Sequence, residues 1–234
     1  MVDTQNRILR ALPERTRAIV LQSCERVTVE RQTTLDRAGD MATTVHFPET
    51  AVISTLATYQ DGTSMEMANI GRDACTGVGL ILGNPRHLST NEVQVGGDIL
   101  DMPAEKLVSL RDSLPGFRDL LLMSVQAVFY QVMVSGACNG THDTQQRLAR
   151  WLLTMHDRAE GDTFRLTHDF FAAILGVRRA TISEALGHLE QAGAIALGRG
   201  RIDVTDRKAL HAASCECYDL VRQAHETLLP LHAE

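Results

Sequence analysis

Two adjacent arginines, Arg178 and Arg179, stand just past a glycine in the stretch LGVRRATISEALGHLEQAGAI, residues 175–195. Within it Ile182, Ala185, Leu186 and Leu189 recur at i, i+3, i+4 and i+7, the spacing of one apolar helix face. The residues left facing outward are Arg178, Arg179, Thr181, Ser183, Glu184 and His188. Cations at a helix N-terminus oppose its dipole and cost from a few tenths to about 1 kcal/mol. Something other than helix stability therefore favours them. A guanidinium pairs bidentately with the O6/N7 edge of guanine, and hydroxyls suit phosphate oxygens or either base type. The competing reading is an ordinary small α/β subdomain with solvated arginines.

Presenting such side chains takes a particular scaffold. Thr167 precedes HDFFAAIL and is placed to cap a helix on which Phe171, Ile174 and Leu175 face one way. Gly176 permits a tight turn into the second helix, and Gly193 ends that helix. The following ALGRGRIDVT reads as a hairpin whose tip, Gly198-Arg199-Gly200-Arg201, carries two cations within reach of phosphates, Arg199 and Arg201. Two short helices, a glycine turn and a hairpin make a winged helix-turn-helix.

The rest of the chain changes period along its length. Residues 4–23 read as one short helix with Ile8, Leu9, Leu12, Ile19 and Val20 apolar. From Val27 to Met102, short apolar runs alternate with turn signals, Asp61-Gly62 being a hairpin candidate, as in an antiparallel barrel or roll. From Pro115 to about Ala137, Phe117, Leu121, Val125, Val128 and Val132 recur at spacings of three and four, and Leu120, Leu122 and Met123 broaden the stripe. A helix of that length spans roughly 30 Å and must bury two sides. A second copy would cover one of them; burial against its own barrel is the alternative. GACNG, residues 136–140, predicts a break or hinge. Helices are expected at 144–158, with Leu148, Trp151, Leu152 and Met155 apolar, and from Asp206 to Leu229. The fold class is thus α+β: a β-roll unit at 1–113, a dimerisation helix and hinge at 114–140, and a winged-helix unit at 141–234.

Composition sets the outer limits. With 234 residues and 44% hydrophobic side chains the chain suits one or two globular domains. No run of 18 or more apolar residues suggests a membrane span, and MVDTQNRILRALPERTR lacks the apolar core of a secretory signal, so a cytoplasmic location is expected. Five scattered cysteines argue against a disulfide framework. The net charge of −6 gives no whole-chain signal for nucleic acid, but a local basic patch can act within an acidic protein.

Together these features resemble the Crp/Fnr superfamily of bacterial transcription regulators over nearly the whole chain, most strongly over residues 144–206, TQQRLARWLLTMHDRAEGDTFRLTHDFFAAILGVRRATISEALGHLEQAGAIALGRGRIDVTD. The resemblance implies a β-roll like a cyclic-nucleotide-binding jelly roll, a long dimerisation helix and a C-terminal winged helix. It also implies a cytoplasmic homodimer on a roughly palindromic double-stranded DNA site, with contact to RNA polymerase and no membrane. Dimer symmetry would set the recognition helices about 34 Å apart. Arg179 matches the family's guanine-reading arginine, and Arg178, Thr181 and Thr167 match phosphate-contacting or base-flanking positions. Ala180 stands where an acidic residue is common and Glu184 where an arginine is common, so the operator should depart from the best-known consensus.

The family's phosphate-binding cassette has Gly-Glu followed by Arg-Ser/Thr-Ala. Here Gly71 is followed by Arg72 and Asp73, and Arg86 by His87-Leu88. The resemblance is therefore to a member that does not bind a cyclic nucleotide in the usual way. Gly71, Arg72, Asp73 and Arg86 remain candidates for an effector pocket, with surface-loop arginines as the alternative for Arg72 and Arg86. Only Cys24 lies in the region that supplies iron–sulfur ligands in the family. Cys215 and Cys217, two apart on an expected helix, would point about 200° from one another and read as structural or incidental thiols. No cofactor or metal is expected, and no enzyme. A redox- or haem-responsive regulator stays as an alternative, predicting a coloured protein or oxidant-sensitive DNA binding. A cupin-like metalloenzyme would need clustered ligands, whereas His46 and His87 are isolated in the sequence.

Overall fold

The computed structural model describes residues 4–231. The ends of the expected first and last units, residues 1–3 and 232–234, lie outside the described residues. In place of one helix over 4–23 there are two, α1 (Arg7–Arg10) and α2 (Glu14–Leu21). Pro13, with no N–H to continue a helix, stands at the N-cap of the second.

The strands β1 (Glu25–Val29), β2 (Thr34–Asp36), β3 (Thr44–Pro48), β4 (Val52–Thr58) and β5 (Ser64–Ile70), the short helix α3 (Val78–Ile81), and β6 (Thr90–Val95) and β7 (Gly97–Pro103) form the roll. One sheet has the order β1-β7-β3, the other β2-β6-β4-β5, and all pairings are antiparallel. The Asp61-Gly62 turn joins β4 to β5 as expected. Gly62 has φ +83°, and the Thr63 amide donates to Asp61 Oδ1 at 2.9 Å.

After α4 (Ala104–Ser113) comes α5 (Pro115–Thr141). The expected hinge at GACNG is absent: Gly136 and Gly140 are helical, and α5 ends where His142 turns extended. Two glycines in a long helix cost about 1 kcal/mol each relative to alanine, too little to break it when its flanks are packed. The face assignment on α5 also differs from the sequence reading. Phe117 and Leu121 are fully buried in the roll's own core with Phe47, Leu100 and Leu107, and Val125 packs beside them. Val128 packs with Ile53, Ala68 and Ile70. Of the five residues expected at a partner interface, only Val132 is exposed. The outward stripe is instead Leu122, Phe129 and Met133, exposed by 42, 61 and 48%, with Met123 beside it. Periodicity failed here because α5 is apolar nearly all round. Its length and composition would let it cross a bilayer. Here its inner face lies on the roll, where buried Gln131 donates to the Asn69 carbonyl at 3.2 Å.

The C-terminal unit begins with α6 (Thr144–Arg158), started by a capping box between Asp143 and Gln146. It continues through β8 (Thr163–Phe164), α7 (His168–Leu175), α8 (Arg179–Gln191), β9 (Ile195–Gly198) and β10 (Arg201–Val204). The hairpin gains an unanticipated third strand, giving the order β8-β10-β9. The single terminal helix expected is again two, α9 (Arg207–Ala212) and α10 (Cys217–Leu228). Trp151, Leu152, Phe171, Ile182, Leu186, Ile202 and Leu210 make this unit's core. Leu229, just past α10, enters the core of the roll beside Ile8 and Leu9.

His46 and His87, distant in sequence, meet at Asp36. His46 Nε2 lies 3.6 Å and His87 Nε2 3.3 Å from Asp36 Oδ1, while His46 Nδ1 lies 2.6 Å from Asp101 Oδ1. Burial pulls the His46 pKa down, but hydrogen bonds and charge from Asp101 and Asp36 outweigh it and hold the imidazole at about 9. Asp36 is held below its ordinary value by His46 and Asn91 in spite of burial. A histidine raised above its unfolded pKa of about 6.5 contributes stability fully below that pH and loses it as pH rises through the folded value. The unfolding free energy from urea denaturation is therefore expected to fall between pH 6.5 and about 9.5, by on the order of 3 kcal/mol. His46→Gln should flatten that slope in denaturation curves taken across the range.

Candidate nucleic-acid interface

The exposed chemistry gathers where α7, α8 and the β9–β10 hairpin meet. Thr167 caps α7, its hydroxyl oxygen accepting from the Phe170 amide at 3.2 Å while its proton stays available to an outside acceptor. Leu175 closes α7, and Gly176 makes the turn at φ +64°. Arg178 is the N-cap of α8 and offers no side-chain cap, so the first amides of that helix are left without one. Such a terminus suits a phosphate, and Arg178 and Arg179 stand at it. Both arginines are exposed, as are Ser183 and Glu184 further along, while Thr181 is half-buried. Beneath them Ile182, Ala185, Leu186 and Leu189 bind α8 to the core, as the sequence spacing required.

Leu166, Thr167, His168, Asp169 and Arg179 on one side and Leu197, Gly198, Gly200 and Arg201 on the other line a concavity of about 300 Å³ between helix starts and wing. Arg199 and Gly200 form the wing tip, with Gly200 at φ +70°. His188 faces away from this concavity and lies 3.1 Å, Nδ1 to Oε1, from Gln145 on α6.

Three contacts escaped sequence reasoning. Arg179 Nε lies 3.0 Å from Asp169 Oδ1, and both side chains are largely exposed. Arg201 Nε lies 3.1 Å from Asp203 Oδ2. His168 Nδ1 lies 2.8 Å from Ser183 Oγ and links the two helices. The Arg201–Asp203 spacing of two, which places both on one face of a strand, was a usable signal. The Asp169–Arg179 pair spans the turn and had none.

The four expected effector residues do not share one pocket. A Cβ on Gly71 would lie 2.5 Å from Arg158 Cδ, so that glycine admits the α6 arginine. Arg72 donates to the carbonyls of Arg158 and Ala159 at 2.9 and 3.2 Å. Asp73 pairs with Arg158 at 2.6 Å, and that charge with His225 nearby holds it at about 2 against the opposing effect of burial. These three residues join the roll to the C-terminal unit. Arg86 lies elsewhere, donating to the Gly39 carbonyl at the rim of a mainly apolar cavity of about 410 Å³ inside the roll. Met67, Ile70, Leu80 and Leu88 line that cavity together with Val128 and Val132 of α5.

Residues 146–213 match the family described as the Crp-like helix-turn-helix domain. The fold is similar to that of FixK2 from Bradyrhizobium japonicum, 17% identical, with a TM-score of 0.69 over 82% of this chain and 98% of that one. It is similar to the c-di-GMP-responsive global regulator CLP of Xanthomonas campestris, 17% identical, at 0.63 over 83% and 100%. A CRP-family transcriptional regulator from Thermus thermophilus, 18% identical, gives 0.63 over 81% and 96%. No curated protein matches the chain.

Gly176 is the residue on which the placement of α8 turns. Alanine there would take a left-handed conformation, and its Cβ would meet Met65 Cε of β5 at 2.9 Å. Gly176→Ala should cost about 1–2 kcal/mol in urea denaturation, more than the same change at the open, helical Gly136.

Proposed function

Taking the chain as a Crp/Fnr-type transcription regulator with a Crp-like helix-turn-helix DNA-binding domain, we propose that it works in the cytoplasm as a homodimer on a roughly palindromic operator. It acts by binding and not by catalysis, and contact with RNA polymerase is the route to its output. The observation that carries the reading is the uncapped, arginine-bearing start of α8, set in a concavity between helix and wing. In this assignment Arg179 reads a guanine edge. Arg178, Thr167, Thr181, Ser183, Arg199 and Arg201 hold phosphates or flank the bases, and Glu184 accepts from cytosine N4. His188, held against Gln145, is the most peripheral of the set. The Asp169–Arg179 pair is exposed, so releasing Arg179 costs less than about 1 kcal/mol.

Dimerisation falls to Leu122, Met123, Phe129, Val132 and Met133 along α5, with Gln126 in line between the first and third. The three-unit division at about residues 114 and 141 serves as the working division, α10 folding back along α5 across it. The usual cyclic-nucleotide cassette is lost: Arg72 stands where the ribose-holding glutamate is expected, and its guanidinium is engaged by Arg158 and Ala159. The cavity of the roll suits a small apolar effector, which would touch α5 through Val128 and Val132. Any such effector must bind two orientations of the C-terminal unit unequally to change DNA affinity.

Selection of sites from random duplex DNA at stated salt should return a palindrome. Arg179→Ala should lose about 10–100-fold in affinity for that site with little loss on random sequence, and Arg178→Ala should weaken both alike. Phe129→Asp should give a folded monomer in light scattering that no longer holds the full site. A folded Arg179→Ala protein that keeps its site preference would overturn the base-reading assignment.

A further inference from the structure

Cys138, His142, Cys215 and Cys217 converge at the far end of α5. One ligand atom from each lies within 4.8 Å of every other. Cys138 Sγ is 3.5 Å from Cys215 Sγ, and Cys217 Sγ is 3.7 Å from His142 Nδ1. On one regular helix the two later cysteines would diverge, as the sequence spacing implied. Instead Cys215 lies in the break between α9 and α10, and Cys217 begins α10. Cys138 and His142, four apart at the end of α5, face the same way.

We propose that these four residues form a tetrahedral Cys3His site for one zinc-class divalent cation, which staples the end of the dimerisation helix to the α9–α10 junction. A tetrahedral Cys3His zinc site with Zn–S of about 2.3 Å and Zn–N of about 2.0 Å has ligand-to-ligand edges of about 3.5–3.8 Å, the range of the Cys138–Cys215 and Cys217–His142 pairs here. The three cysteines are buried in a small cluster of their own with Val134. His142 is oriented as a metal-binding histidine is. Its Nε2 lies 3.3 Å from the Glu216 carboxylate, leaving Nδ1 toward the sulfurs. The Thr141 hydroxyl, 3.1 Å from that Nδ1, donates its proton to the Ala137 carbonyl at 2.9 Å and leaves the nitrogen lone pair unused.

Three thiolates and a divalent cation carry a net charge of −1. Buried Arg147 interacts with both Cys138 and Cys215 and offsets it, its Nε having no partner among the described residues. Arg147 also donates to the Leu175 carbonyl at 2.6 Å, immediately before the Gly176 turn. The site is thus one side chain away from the helix-turn-helix. Without a metal, burial and the neighbouring thiols push the Cys217 thiol up to about 12, so binding must displace protons. A Cys138–Cys215 disulfide is the rival use of the cluster, but it leaves Cys217, His142 and its carboxylate partner without a role.

The test uses the full-length protein, purified anaerobically without chelator from zinc-supplemented cells. One zinc per chain is expected by elemental analysis. After chelation, added Co²⁺ should give the intense visible bands of tetrahedral thiolate cobalt, and Zn²⁺ should abolish them. Cys217→Ser and, with less risk to the fold, His142→Ala should weaken Co²⁺ binding at least tenfold, while Cys24→Ser should leave it unchanged. A folded, reduced protein with neither zinc nor a cobalt spectrum overturns the site, as does a mass two hydrogens short from a Cys138–Cys215 disulfide. Coupling to DNA rests on the proposed regulator function: stripping zinc should lower operator affinity at least tenfold, and equal affinity with and without zinc overturns the coupling. Metal content is read without DNA, so failure of the regulator reading leaves the site to be judged separately.

Discussion

Helix α5 is apolar on almost every side, and no single neighbour can cover it. That constraint organises the molecule. One face is taken by the roll through Phe117, Leu121 and Val128. The far end is taken by the C-terminal unit, where Cys138 meets Cys215 and Cys217 and α10 runs back along the helix. The remaining stripe, Leu122, Phe129 and Met133, stays exposed among the described residues. A helix in this position shares side chains with everything that matters: it lines the apolar cavity and reaches the four-residue cluster.

The two halves of the chain meet through polar groups that are costly to leave unpaired. Arg158 is buried and pairs with Asp73, with Asn69 and with Gln131, so α6, the roll and α5 share one guanidinium. Trp151 donates to Glu66 at 2.8 Å, and Ser54 to the other oxygen of that carboxylate. Burial pushes Glu66 above its ordinary pKa while Ser54, Trp151 and Arg150 favour its charge. Arg31 stacks over Phe170 of the first helix of the helix-turn-helix at 5.6 Å. Parting the halves would expose each of these groups together, which favours two discrete arrangements over gradual drift.

Local rules were enough for the helix-turn-helix. The Thr167 cap, the Gly176 turn, the Ile182–Leu189 face and the Gly200 wing tip are each decided within a few residues. The Asp61-Gly62 hairpin was legible for the same reason. Legibility failed where a choice depended on distant chain. Which face of α5 meets the roll depends on strands about 60–75 residues earlier. The glycines of GACNG looked like a hinge because their cost was visible and the packing that holds the helix was not. The one regular helix expected under the Cys-x-Cys fails for a related reason: the break before α10 brings Cys215 back beside Cys138, and no periodicity announces it. Gly71 sits at an expected cassette position and Arg72 departs from it, yet with Asp73 both serve α6 here, a use that depends on the distant Arg158.

On the assignment proposed for Arg179, its pair with Asp169 bears on how quickly wrong sequence is released. A carboxylate 3.0 Å from the guanidinium is a tethered stand-in for nucleic acid, always at high local concentration. A passing phosphate also offers two oxygens to the guanidinium fork, but it must displace a partner already in place. The two-acceptor edge of a correct base matches the guanidinium fork and competes well. On the proposed base-reading assignment, the carboxylate weakens every encounter of Arg179 with nucleic acid, and brief residence on wrong sequence follows from it.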